Sequence, residues 1–267
     1  MSLLTVKLLV TPLMVLAASL AARRWGDAVG GWLVGLPLIS GPVSVFLALE
    51  QGPAFAADAA AGSIAGVVAQ AAFCAGYAAA ASRGLAPALA AGALAYVVSA
   101  GGLIAAGLPR AALFLAAVAT LTLVLRAAPR RRAITAKPAD AWEILARMGA
   151  TTALVVGLTS AASALGPRVS GATASFPLIG ASIAAYAQLA HGPAAGVSVM
   201  RGMAAALYAF AVFFLVAGAA LGRMPVAAAF ALATAGALVM QGVTLRFVRP
   251  HEKTNAAEGG AAASSGR

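Results

Sequence analysis

The chain has 267 residues, 62% hydrophobic and 9% charged, with a formal net charge of +11 and a mean hydropathy of +0.95. A soluble domain carries about 25% charged residues, so this composition excludes one and requires an integral membrane protein. The basic surplus does not point to nucleic acid, because the basic segments lack the interleaved aromatics of a single-strand binder. Excess Lys and Arg is instead what the cytoplasmic loops of a polytopic protein carry.

Apolar stretches of about 20 residues, the length that crosses a bilayer as a helix, divide the chain into nine expected spans. They run over about 2–22, 28–50, 57–81, 85–107, 109–127, 142–164, 168–190, 195–221 and 224–247. Lys7 ahead of an apolar run gives the first stretch the look of a cleaved signal peptide. Lys7, Thr11 and Val15 match Arg147, Thr151 and Val155, however, so the stretch is read as a retained span. Gly107-Leu108-Pro109-Arg110 marks a tight hairpin between spans four and five. The hydrophilic segment 128–141 separates two halves, and the tail after Pro250 is Gly-, Ala- and Ser-rich and charged, with nothing to pack. The organisation is therefore a first membrane repeat over 1–107, a linking helix and basic cytoplasmic loop over 108–141, a second repeat over 142–249 and a disordered cytoplasmic tail over 250–267.

The halves are recognised as repeats because 26–54 aligns with 166–194 without a gap. Pro37-Leu38-Ile39 matches Pro177-Leu178-Ile179, and Gly52-Pro53-Ala54 matches Gly192-Pro193-Ala194, each 140 positions apart (177 less 37). Basic residues set the orientation. With nine spans, Arg23, Arg24, Arg83, Arg126, Arg130, Arg131, Arg132, Lys137, Arg246, Arg249, Lys253 and Arg267 share one side, and only Arg110, Arg168 and Arg223 the other. The first side is expected in the cytoplasm, with the N-terminus outside and the C-terminus inside. Five spans separate the starts of the two copies, and an odd number reverses direction. The expected fold is all-α, a polytopic membrane protein of about nine transmembrane helices in two inverted-topology repeats, with the fifth span unpaired.

Gly171, Phe176-Pro177, His191-Gly192 and Arg201 form a pattern of Gly, Phe-Pro, polar break and Arg in the next span. In this the second half resembles the small four-span bacterial inner-membrane proteins of the GlpM family, and the chain looks like two such units fused with an extra helix between them. The first half departs from the pattern: Leu36-Pro37 replaces Phe-Pro, and Ala61 stands where Arg201 does. The resemblance implies a bacterial inner (cytoplasmic) membrane and an envelope context.

The paired prolines are the first candidate site. A proline inside a helix removes an N–H and frees the carbonyl four residues earlier: Leu33 for Pro37, Leu38 for Pro42 and Thr173 for Pro177. In lipid such groups must meet protein or a wet cavity. Two breaks at equivalent positions, beside Ser40, Ser44, Thr173, Ser175 and Ser182, suit a midplane substrate site at a repeat interface; packing kinks inherited from one ancestor account for the same match. Arg201, early in span eight, is the cation expected to meet an anionic solute. Lys7 and Arg147, equivalent and about five residues into their spans, are charge sites that also lie within snorkelling reach of headgroups. Glu50 and His191 can titrate and relay protons, yet each precedes a Gly-Pro that ends its helix at an interface, and the inverted arrangement puts them on opposite faces.

The Gly-x-x-x-Gly pairs Gly31/Gly35, Gly62/Gly66 and Gly218/Gly222 suit close helix approach, within the chain or in a homo-oligomer. Trp25, Trp32 and Trp142 lie near span ends as interfacial anchors, and Cys74 reads as a buried, inert thiol. No carboxylate pair, metal-ligand spacing, phosphate loop or Ser/His/Asp set is visible, so no enzyme activity, metal or cofactor is expected. The leading expectation is a permease for a small solute, anionic or lipid-related, working by alternating access between inverted repeats. The alternative is a non-transporting accessory membrane protein in envelope polysaccharide or lipid metabolism.

Overall fold

The computed structural model describes residues 40–127 and 141–248, together with Leu13, Leu16 and Pro37. Most of the expected first span, Lys7 included, most of the basic linker and the expected disordered tail lie outside the described residues. Among the described residues every extended element is a helix. The order is α1 (Ser40–Glu50), α2 (Pro53–Ala80), a 3-10 turn (Ala81–Arg83), α3 (Leu85–Ala105), α4 (Arg110–Ala127), α5 (Ala141–Leu165), α6 (Pro167–Ala174), α7 (Leu178–His191), α8 (Pro193–Ala220) and α9 (Val226–Val248). Among the described residues five stretches are long and apolar enough to cross a membrane, those of α2, α3, α4, α8 and α9, the last of them ending at Thr244 within α9. The 3-10 turn after α2 belongs to the first of them.

Burial sorts these five into core and rim. The apolar windows of α2 and α8 are each 72% buried, against 22% for α3, 17% for α4 and 28% for α9. The two central helices are rich in Ala and Gly, whose small side chains let several neighbours approach at once. The rim helices turn large apolar side chains outward, among them Leu94, Val97 and Val98 on α3, Leu115 and Leu123 on α4, and Leu232 and Val239 on α9. Exposed apolar surface of this extent suits contact with lipid.

The central helices begin alike. Gly52 and Gly192 precede them with φ +93° and +85° and ψ 162° and 177°, and each is followed by a proline in the first turn. That backbone region is open to glycine alone, and a proline there forfeits no hydrogen bond because the first N–H groups of a helix have no intrahelical partner. Both helices are 28 residues long, and their ends lie 140 positions apart (193 less 53, 220 less 80). They run antiparallel: Gly218 near the end of α8 lies against Ala60 near the start of α2, and Gly196 near the start of α8 lies against Tyr77 near the end of α2.

The expected seventh span, 168–190, is not one helix. It is α6 and α7, separated by non-helical Ser175, Phe176 and Pro177. Pro177 is the residue that starts α7, with φ −79° and ψ 53°, and not an interior residue; the ring disfavours a helical conformation at Phe176 before it. In the first half Pro37 is likewise non-helical and α1 begins at Ser40. Pro42 falls in the first turn of α1, where a proline is tolerated rather than kinking the helix. The expected hairpin at Gly107 stands, with α3 ending at Ala105 and α4 starting at Arg110.

Candidate functional site at the helix break

The two proline breaks touch. Ser40 Oγ, at the start of α1, donates a 2.9 Å hydrogen bond to the carbonyl of Ala174, the last residue of α6. Both breaks carry the same local backbone bond. Gly41 N–H donates to the Pro37 carbonyl at 2.7 Å, and Ala181 N–H donates to the Pro177 carbonyl at 2.8 Å.

The end of a helix leaves its last four carbonyls without intrahelical donors, and inside a bilayer each must find one. At the end of α6 all four do. The Gly171 carbonyl accepts from Ser63 Oγ of α2 at 3.1 Å and from Ser175 Oγ at 2.9 Å. The Ala172 carbonyl accepts from the Tyr96 hydroxyl of α3 at 2.6 Å and from Ser175 N–H at 3.0 Å. Thr173 is served by Phe176 N–H at 3.1 Å, so the carbonyl expected to be freed by Pro177 is recaptured in a tight turn. Ala174 is served by Ser40. Hydroxyls from three other helices thus cap one half-helix.

Glycine makes this reach short enough. A Cβ on Gly62 of α2 would fall on the Arg168 carbonyl, and one on Gly171 would fall on the Ala59 carbonyl. The backbones of α2 and α6 therefore cross in direct contact. Above the crossing, Phe176 fills the gap left by the unwound turn, edge-on to Tyr96 at 5.1 Å and to Phe73 at 6.2 Å between ring centroids. A second polar cluster ties α7 to the far end of α2. The Tyr77 hydroxyl donates to Gln188 Oε1 at 2.7 Å and lies 3.2 Å from the Ala184 carbonyl, while Gln188 Nε2 donates to the Ala81 carbonyl at 3.1 Å.

The structure thus gathers Pro37, Ser40, Thr173, Ser175 and Pro177 at one place. Ser44 is buried one turn along α1 from Ser40. Ser182 is exposed and bonds back to the Leu178 carbonyl of its own helix. Arg201 is not at the break. It is half-buried on α8 and donates to the Leu125 carbonyl in the last turn of α4, where a cation is favoured by the helix dipole. Met203, about 200° further around α8, is the residue that meets α7, at Gly180. Glu50 and His191 are both exposed helix ends. Glu50 lies beside the start of α2 and His191 beside its end, separated by about 40 Å of helix. Arg147 is on α5, its side chain outside the described residues.

Ser63, Tyr77, Tyr96 and Gln188 do not stand out in the sequence, yet they supply most of the hydrogen bonds here. The signal for Ser63 and Tyr77 is a stripe on α2 of Ser63, Gly66, Gln70, Phe73 and Tyr77, which share one helical face by spacing. The three basic residues of the minority side gather at the other end of the bundle. Arg110 Nη2 donates to the Ala57 carbonyl at 3.1 Å. Arg168 Nη1 lies 3.4 Å from the Leu108 carbonyl and, with Asp58, lines a surface cleft of about 290 Å³. Among the described residues no three His, Cys, Asp or Glu side chains gather as a metal site would require.

Comparison of the chain with family models, with curated proteins and with solved structures finds no match. The resemblance to the GlpM family accordingly rests on the residues quoted for it.

Proposed function

We propose that the chain is a permease of the bacterial inner membrane, with about nine spans in two inverted repeats, that moves a small anionic or lipid-related solute by alternating access at the repeat interface. The observation that carries this reading is the Ser40–Ala174 hydrogen bond, which joins the break of one repeat to the break of the other. The matched carbonyl bonds of Pro37 and Pro177 support it, as does the antiparallel run of two 28-residue helices related by 140 positions. The clustering of Arg110, Arg168 and Leu108 at the end where α2 begins is consistent with an N-terminus outside and a C-terminus in the cytoplasm. Paired broken helices at a repeat interface are where secondary transporters bind solute.

The test uses cysteines at Ser40 and Ser175 in a Cys74→Ser background, exposed to membrane-impermeant thiol reagents in right-side-out and inverted vesicles. Alternating access predicts that both react, with a rate that depends on the side of addition. If neither reacts from either side, the permease reading fails.

One observation favours the alternative, an accessory membrane protein of envelope metabolism. The hydroxyls at the break are engaged by backbone carbonyls, as a purely structural kink would have them. That reading requires a stable partner, and a chain that elutes alone from mild detergent extracts at native expression removes its support.

A further inference from the structure

Two buried polar side chains near the break have no hydrogen-bond partner among the described residues, Ser170 Oγ on α6 and Gln70 Nε2 on α2, and of these Gln70 lies on the face turned to the unwound turn. Gln70 is 4% exposed, and its side-chain Nε2 is enclosed with no hydrogen-bond partner. It lies in the middle of α2, remote from both interfaces. One turn before it, Gly66 packs on Ser175, 2.6 Å from where its Cβ would be; three residues after it, Phe73 meets Phe176. Helical spacing puts Gln70 on that same face, so it faces the unwound turn. An enclosed amide donor without an acceptor is among the costlier defects a protein interior can hold, more so where water is absent. Leu or Phe would fill the position without that cost, and Phe210 stands at the position 140 further on.

We propose that Gln70 is a solute-binding residue, its carboxamide N–H reserved for an acceptor oxygen (carbonyl, hydroxyl or carboxylate) of a small polar solute. The inference rests on the permease reading and adds the ligand chemistry. The carbonyls at the end of α6 already accept hydroxyl or backbone donors, so the group at the break that still lacks a partner is a donor rather than an acceptor. What the break presents is a hydrogen-bond donor. A solute acceptor would satisfy Gln70 when the interface opens, and selectivity would follow from the loss incurred by an analogue lacking that acceptor. Arg201, held by the end of α4, is not needed for this contact.

The experiment compares Gln70→Cys with Ala65→Cys, each as the single cysteine in the Cys74→Ser background. Ala65 is buried on the opposite face of α2. The probes are the anionic and cationic methanethiosulfonates, ethylsulfonate and ethyltrimethylammonium, applied to membrane vesicles. The expected result is reaction of the Gln70→Cys thiol at least about tenfold faster than that of Ala65→Cys, the difference one pKa unit of thiolate population makes. Equal rates overturn the proposal. Gln70→Leu, which keeps the volume, is a second and independent measurement. Its thermal midpoint in detergent should equal or exceed that of the parent, because no bond is lost. A fall as large as that of Tyr96→Phe shows a structural partner for the amide and also overturns it. The cysteines at Ser40 and Ser175 separate the two ideas. If they react and the Gln70→Cys thiol does not, this inference alone fails; if the Gln70→Cys thiol reacts and they do not, the permease reading fails and the wet polar site stands.

Discussion

The crossing of α2 and α6 sets the whole site, and Gly171→Ala tests it with one methyl group. The new Cβ would fall on the Ala59 carbonyl and lie 2.8 Å from the Ala59 carbonyl carbon and 2.9 Å from the Ser63 nitrogen. All three atoms are backbone, so no side chain can turn aside and the helices must separate. Overpacking of this kind costs about 1–3 kcal/mol. Separation also stretches the Ser63–Gly171 and Tyr96–Ala172 bonds, each worth about 0.6 and at most about 1.7 kcal/mol in a membrane protein. Against this, alanine gains up to about 1 kcal/mol over glycine in helix propensity. The net expectation is a loss of about 1–3 kcal/mol. The assay is the thermal midpoint in detergent, read by size-exclusion of heated samples. The control is Gly102→Ala on α3, where nothing lies within 4 Å of the added carbon and the midpoint should hold or rise. A Gly171→Ala protein as stable as Gly102→Ala would refute the direct backbone crossing, and with it the hydroxyl caps that depend on it.

Four further outcomes are expected. Tyr96→Phe should lower stability by about 1 kcal/mol and no more, because the Ala172 carbonyl keeps the Ser175 N–H; denaturant titration of the purified protein measures it. Gly52→Ala and Gly192→Ala should each cost about 1–3 kcal/mol, since both need a backbone region closed to alanine although neither has anything within 4 Å; similar midpoints for the two variants are the expected result. Gln188→Leu should cost more than Tyr77→Phe in the same assay, because it strips partners from both the Tyr77 hydroxyl and the Ala81 carbonyl. With Cys74 replaced, a cysteine at Ala54 should label from outside intact cells and one at Ala194 should not. Labelling of both, or of neither, contradicts inverted repeats.

Much of this site was legible in sequence, and the reason is physical. The proline pairs, the Gly-Pro helix ends and the hairpin at Gly107 are backbone events, and proline and glycine write those into the chain directly. Hence the breaks at Pro37 and Pro177 and the starts at Pro53 and Pro193 lie where local residues put them. The tertiary partners were less legible. Tyr96 lies alone in an Ala-rich span, and nothing nearby in sequence says that its hydroxyl reaches Ala172, 76 positions away. The partner of Arg201 was no more legible. Depth in a span suggested a ligand site, whereas helix direction brings it to the end of α4 and the carbonyl of Leu125. Gly62 and Gly66 were read for close approach, and the approach is real, but the partner is the half-helix α6.

The two central helices treat their surroundings differently, and this bears on how an interface could open. The stripe Ser63, Gly66, Gln70, Phe73 and Tyr77 on α2 corresponds, 140 positions on, to Met203, Ala206, Phe210, Phe213 and Ala217 on α8. The first stripe holds α6 and α7 through Ser63 and Tyr77. In the second, Phe213 lies 3.8 Å from where a Cβ of Gly41 on α1 would be, and Met203 lies against Gly180 on α7. Hydrogen bonds are directional and lost abruptly, whereas apolar contacts of a flexible thioether or a ring edge slide at little cost. Motion that opens the break should therefore keep α6 on Ser63 and α7 on Tyr77, shift both relative to α8, and lift from Gln70 only the unwound turn between them, which meets α2 at Gly66 and Phe73 through side-chain contacts alone. Among the described residues the Ser40–Ala174 bond ties the two breaks together, so it is a bond such a motion must break. Hydrogen exchange resolved along the chain should then show slower amide exchange in α6 than in the first turn of α1. The opposite order would assign the fixed seam to α8 instead.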